Sequence, residues 1–120
     1  MNSITLTGRL TADPELRTTH SGAAVGQMRV AVARRRGKQG ADRGAVFVDV
    51  VTFGALAESC GHYLEQGRQV AVGGRLELDE WETDAGERPL RHKVIADEVE
   101  FLGGRREVRD RSETDDRDFP

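Results

Sequence analysis

Cysteine occurs once in this chain, at Cys60, so no internal disulfide can staple the fold. The three histidines, His20, His62 and His92, are scattered without metal-ligand spacing, and neither a metal nor another cofactor is expected. A reducing compartment fits this cysteine usage. Long apolar runs are also missing. No window approaches the ~20 residues of a membrane span, and Met1 leads straight into the alternating Asn2-Ser3-Ile4-Thr5-Leu6-Thr7 rather than into a signal peptide. The expectation is a cytoplasmic protein. Aromatics are scarce at 5%, with Trp81 the sole tryptophan and Tyr63 the sole tyrosine, so each one outside the core calls for a reason.

An excess of positive charge is lacking too, since the formal net charge is −3. The deficit is local: residues 1–106 hold 15 basic and 15 acidic residues, whereas residues 107–120 hold 3 and 6. Local clustering steers a polyanion more than net charge does. It is found in Arg34-Arg35-Arg36-Gly37-Lys38, with Arg43 close behind.

What the sequence has in quantity is period-two alternation. Ile4, Leu6 and Leu10 alternate with Thr5, Thr7 and Arg9, the pattern of a half-buried strand, and Gly8 marks a bend or a close backbone approach on the apolar side. After a break at Asp13-Pro14 and a turn at His20-Ser21-Gly22, a second strand spans Ala24 to Ala33, with Met28, Val30 and Val32 on one side. Arg34 to Gly44 reads as a long hairpin loop. A third strand, Ala45 to Phe53, sets Val46, Val48 and Val50 against Phe47, Asp49, Val51 and Phe53. A short amphipathic helix is predicted over Ala55 to Gln66, with Leu56, Cys60, Tyr63 and Leu64 on its apolar side and Gly67 as its stop. The fourth strand begins at Gln69 and places Val70, Val72, Gly74, Leu76 and Leu78 inward, with Arg75, Glu77, Asp79 and Trp81 on the opposite parity. The fifth covers Leu90 to Leu102, with a bulge near Ala96-Asp97.

One short helix cannot cover an open five-stranded sheet. The order therefore predicts an all-β fold, a five-stranded Greek-key OB-fold barrel with one helix between strands 3 and 4. Residues 1–104 are expected to form this domain, and 105–120 a short disordered acidic tail.

Binding of single-stranded nucleic acid needs aromatic faces for bases and cations for phosphates on one groove. Phe47, Phe53 and Trp81 are the candidate stacking residues; Arg9, Arg29, Arg34, Arg35, Arg36, Lys38, Arg43 and Arg75 are the candidate phosphate contacts. Spacing alone leaves Phe47 and Phe53 equally readable as core, whereas Trp81 shares its parity with charged residues. Catalysis finds no support: Cys60 and His62 do not face each other on a helix, and Gly73-Gly74 precedes neither a helix nor a lysine. Glu77, Asp79 and Glu80 read as exposed acidic surface without partners.

Several segments in order, Asn2 to Leu10 with Asp13-Pro14-Glu15-Leu16-Arg17, Phe53 to Glu58, Tyr63 to Val70, and Gly74-Arg75-Leu76 through Trp81, resemble the bacterial single-stranded DNA-binding protein family over about residues 1–104. The resemblance implies a non-catalytic OB-fold protein, usually a homotetramer, that binds single-stranded DNA without sequence preference in replication, recombination and repair. It puts the base-stacking positions on Phe47, Phe53 and Trp81. It also marks departures. Arg36 stands where relatives carry a further tryptophan, and Val48 where they carry a histidine at a subunit contact. The family's acidic tip, which recruits replication and repair proteins, ends in Pro-Phe; here Asp115-Asp116-Arg117-Asp118-Phe119-Pro120 reverses that pair, so the tail contact through Asp115, Asp116, Asp118 and Phe119 is expected to be weakened. The short tail and Arg/Ala/Gly-rich composition resemble a secondary copy from a high-GC Gram-positive bacterium. The rival reading is an OB-fold interaction subunit of a nucleic-acid-processing assembly, with the same aromatics in a protein interface.

Overall fold

Strands rich in valine, each apolar on one parity, satisfy their backbone groups and bury that parity together only if the sheet curls onto itself. The computed structural model, which describes residues 1–35, 44–80, 83–87 and 90–103, shows that outcome. In chain order the elements are β1 (Ile4–Leu10), β2 (Glu15–Thr18), β3 (Ala24–Ala33), β4 (Ala45–Phe53), α1 (Gly54–Tyr63), β5 (Gln69–Glu80) and β6 (Leu90–Leu102). The sheet runs β1-β5-β6-β4-β3-β2, and a β1–β3 pairing at Arg9↔Ala31 and Leu10↔Val30 closes five of these strands into a barrel. All pairs are antiparallel except β4 with β6. Leu10, Met28, Val30, Val50, Val70, Val72 and Val94 fill the interior, with Cys60 and Leu64 at one end of it.

The sixth strand, β2, was not expected. All four of its residues are exposed, so it carries no alternation. Its backbone pairs with β3 from Glu15↔Gln27 to Thr18↔Ala24, around a turn in which Gly22 has φ +89°. The helix also differs: it starts at Gly54 and ends at Tyr63, because Leu64 is extended at φ −100°, ψ 153° and turns its side chain into the core. Ala57 and Cys60 are its buried residues, whereas Tyr63 is exposed. Gly67, with φ +89°, shapes the loop beyond the helix, where Gln66 N–H donates to Asp13 Oδ1 at 2.8 Å and Gly67 N–H to the Leu10 carbonyl at 2.9 Å. No described helix is long and apolar enough to cross a membrane.

Two close approaches set the curvature. A Cβ on Gly8 would run into the Ala31 carbonyl oxygen, and one on Gly74 into the Ile95 carbonyl oxygen. The expected bulge lies opposite Gly73/Gly74. There the register passes from Gly73↔Glu98 to Gly74↔Ala96, leaving Asp97 as the extra residue.

Leu76 and Leu78 correct another expectation. They hold the inward parity of β5, paired with Val94 and His92, yet are 43% and 47% exposed. Their stretch extends past the barrel: β1 pairs with β5 only up to Gly74, and β4 pairs with β6 only at Lys93–Ile95. Val46 and Leu90 lie exposed on the same parity, so the inner face of these arms has no cover within the described residues.

Cys60 is buried, and desolvation pushes its thiol from 9.0 up to about 11. An unfolded thiol ionises from about pH 9, while the folded one stays protonated. This contribution is therefore fully present below pH 9 and falls as pH rises towards 11, by about 2 kcal/mol at pH 11. Urea midpoints measured from pH 8 to 11 should drop more steeply for the parent chain than for Cys60→Ala.

Candidate nucleic-acid interface

The parity that leaves valines inside the barrel puts a different set of residues on its outer surface. On β4 these are Phe47, Asp49 and Phe53, between Arg29 and Gln27 of β3 on one side and Arg91 and Lys93 of β6 on the other; Val51 and Ile95 share this parity but are buried. Phe47 is 57% exposed and Phe53 51%, which decides the ambiguity left by their spacing: neither is core. Phe53 also precedes α1, with extended φ −134° and ψ 152° and no side-chain cap bond, so its ring is free of any capping role. The Arg29 guanidinium carbon lies 5.6 Å from the centre of the Phe47 ring, within cation–π range. A flat cation and a flat ring thus share one exposed strip.

The other predicted cations are spread differently. Arg75 is on the outer parity of β5, opposite Ile95, and its Nε lies 3.1 Å from Glu77 Oε2. Arg9 is exposed on β1 and donates to the Gly67 carbonyl at 3.0 Å. Arg34 and Arg35 are exposed where β3 ends, and Arg34 N–H donates to the Gly44 carbonyl at 2.9 Å across the mouth of the β3–β4 hairpin. Arg36, Lys38, Arg43 and Trp81, like the tail residues Asp115, Asp116, Asp118 and Phe119, lie outside the described residues.

Two cations of this face, Arg91 and Lys93, did not emerge from the sequence reading. Their signal was present, as alternate basic residues on a strand whose intervening parity feeds the core through Val94. Lys93 Nζ lies 2.8 Å from Asp79 Oδ1, and Arg91 Nε 3.9 Å from Asp49 Oδ2. Asp79 and Glu77 therefore have cationic partners, which corrects the expectation that the acidic residues of this strand stand alone. Between this face and the segment Ala12 to Glu15 lies an open cleft of about 290 Å³, with Gln27, Arg29, Asp49, Asp79, Arg91 and Lys93 along it. Among the described residues, no group of His, Cys, Asp and Glu is arranged to hold a metal ion.

Residues 1–102, which build this barrel and its aromatic strand, fit the profile of the single-strand binding protein family. The chain belongs to that family. Its relatives include single-stranded DNA-binding protein 1 of Staphylococcus aureus strain Mu50, 40% identical over 102 residues that cover 85% of this chain and 65% of the relative. The single-stranded DNA-binding protein of Clostridium tetani is 42% identical over 103 residues, covering 85% of this chain and 70% of its own. Single-stranded DNA-binding protein A of Bacillus subtilis is 40% identical over 102 residues, covering 85% and 59%. The chain thus spans about 65% of the staphylococcal relative's length, and the family match ends at the edge of the barrel.

Proposed function

We propose that the chain binds single-stranded DNA without sequence preference and without catalysis, protecting it during replication, recombination or repair. The observation that carries this reading is the outer face of β4, where two half-exposed phenylalanines share a strand and a guanidinium lies over one of the rings. Every base has a π-face, so such platforms bind without regard to sequence, and cations along the strip take the phosphates. Trp81 joins the stacking set, and Arg9, Arg29, Arg34, Arg35, Arg36, Lys38, Arg43 and Arg75 the phosphate set, by the family resemblance and their parity or clustering. The names of the relatives support the ligand.

The working form is a homo-oligomer, a homotetramer by family resemblance. Exposed Val46, Leu76, Leu78 and Leu90, all on the parity that is buried elsewhere, support an interface between copies. The location is the cytoplasm, at the nucleoid. The acidic residues near Phe119 offer replication and repair proteins a contact.

The test is a titration of Trp81 fluorescence with oligo-dT and with a matched duplex at several salt concentrations, with particle mass recorded in parallel. Quenching by the single strand alone, weakening as salt rises because phosphate contacts release counterions, is the expected result. No quenching and no mass shift with dT at low salt would assign the barrel to a protein partner instead.

A further inference from the structure

Asp49 sits among Val46, Phe47, Val48, Val50 and Val51 in the middle of β4, where an aspartate is disfavoured by strand propensity. Its neighbours supply a reason for its presence. The backbone register aligns Arg29↔Asp49 across β3 and β4, Asp49↔Lys93 across β4 and β6, and Lys93↔Glu77 across β6 and β5. This row of alternating charge crosses four strands of the outer face. Asp49 is its central anion, with Oδ1 3.7 Å from Arg29 Nε and Oδ2 3.9 Å from Arg91 Nε. One carboxylate therefore draws two guanidiniums, and one of these also lies over Phe47.

Both pairs are long and largely exposed, the class of ion pair that adds little stability. What such a carboxylate does alter is the competition for its cations. A phosphate approaching Arg29 or Arg91 must displace Asp49 and bear its repulsion, so the strip is partly neutralised before DNA arrives.

We propose that Asp49 is a built-in attenuator of single-strand affinity, a positioning residue that competes with phosphate for Arg29 and Arg91 and keeps binding reversible. The proposal rests on the DNA-binding reading above. It predicts that Asp49→Asn, which keeps shape and removes charge, binds oligo-dT about 3- to 10-fold more tightly at ~0.1 M salt, where charges this close are incompletely screened. The plot of log affinity against log salt should steepen by about 0.7 for each further phosphate that the strip neutralises.

The experiment titrates oligo-dT against the full chain and its Asp49→Asn, Asp49→Glu and Glu58→Gln forms. Glu58 lies exposed on α1, so its variant makes the same change in net charge away from the strip. Tighter binding and a steeper salt slope in Asp49→Asn alone, with Asp49→Glu like the parent, is the expected pattern. Equal or weaker binding by Asp49→Asn, an unchanged slope, or the same effect in Glu58→Gln would overturn the proposal. Asp49→Ser repeats the test should the asparagine form fail to fold. A parent chain that does not bind dT at all would refute the DNA-binding reading itself, an outcome distinct from failure of the attenuator.

Discussion

Replacing Phe47 and Phe53 together by alanine is expected to weaken oligo-dT binding by ~30-fold at the least and by up to ~10⁴-fold, with the fold intact. The range follows from about 1–3 kcal/mol for each base–aromatic stack. The two rings stand six residues apart on one strand, roughly 20 Å at strand rise, so they serve different bases and their losses should nearly add. Both are about half exposed, so little stability is at stake. The Phe47→Ala change should cost more than Phe53→Ala, because it also removes the ring under Arg29. Isothermal titration of each single form and of the double form with oligo-dT, beside thermal melts, measures all of this. A double variant that binds like the parent would move the aromatics into a protein interface. Unchanged binding with altered particle mass would say that the interface joins copies of the chain itself.

How far the sequence revealed this surface differs from strand to strand. The ranges expected for the strands Ala24 to Ala33, Ala45 to Phe53 and Leu90 to Leu102 agree with β3, β4 and β6, because valine alternation is a strong signal and turns bound each run. β2 was invisible for the converse reason: an exposed edge strand of Glu15, Leu16, Arg17 and Thr18 is held by backbone pairing with β3 and needs no buried side-chain parity. Leu16 does lie beside Gly61 of α1, where an added Cβ would come within 3.4 Å of it, but that depends on where the helix packs and no local pattern announces it.

Parity also carried the site only part of the way. It put Phe47, Asp49 and Phe53 on one side of β4, but it could not say which side of that strand faces solvent, because both are partly apolar. The burial of Val50 and the exposure of Phe47 follow from barrel closure, a property of all five strands at once. The ion pairs were further from reach. Asp79 meets Lys93, and Asp49 meets Arg29 and Arg91, only when the β5–β6 and β4–β6 registers are known, and the parallel β4–β6 pairing joins segments about forty residues apart. Leu76 and Leu78 misled for a related reason: alternation continues along β5 beyond the point where the barrel offers anything to pack against.

The same closure makes one glycine of an adjacent pair far less replaceable than the other. At Gly74 a Cβ would meet the Ile95 carbonyl oxygen, with Ala96 Cα at 2.8 Å and the Ile95 carbonyl carbon at 2.9 Å, all backbone atoms that no rotamer change can clear. At Gly73 the nearest atoms are Glu98 Oε1 at 3.8 Å and Glu98 Cβ at 3.9 Å, an ordinary contact with an adaptable side chain. Gly74→Ala must push β6 away from β5 beside the Asp97 bulge, and is expected to cost about 3 kcal/mol or more. In a domain of this size that lowers the melting temperature by roughly 12 °C or more. Gly73→Ala should change stability by less than ~1 kcal/mol, and in the stabilising direction where the strand accepts alanine, since it removes the excess freedom of glycine from the unfolded chain. Thermal melts at one fixed protein concentration, which holds any self-association term constant, compare the two directly. Equal losses would mean that the strand-to-strand approach at Gly74 is not what bends this sheet. A large loss at Gly74 alone would identify it as the point where β5 leaves the barrel wall and becomes the projecting arm that carries Leu76 and Leu78.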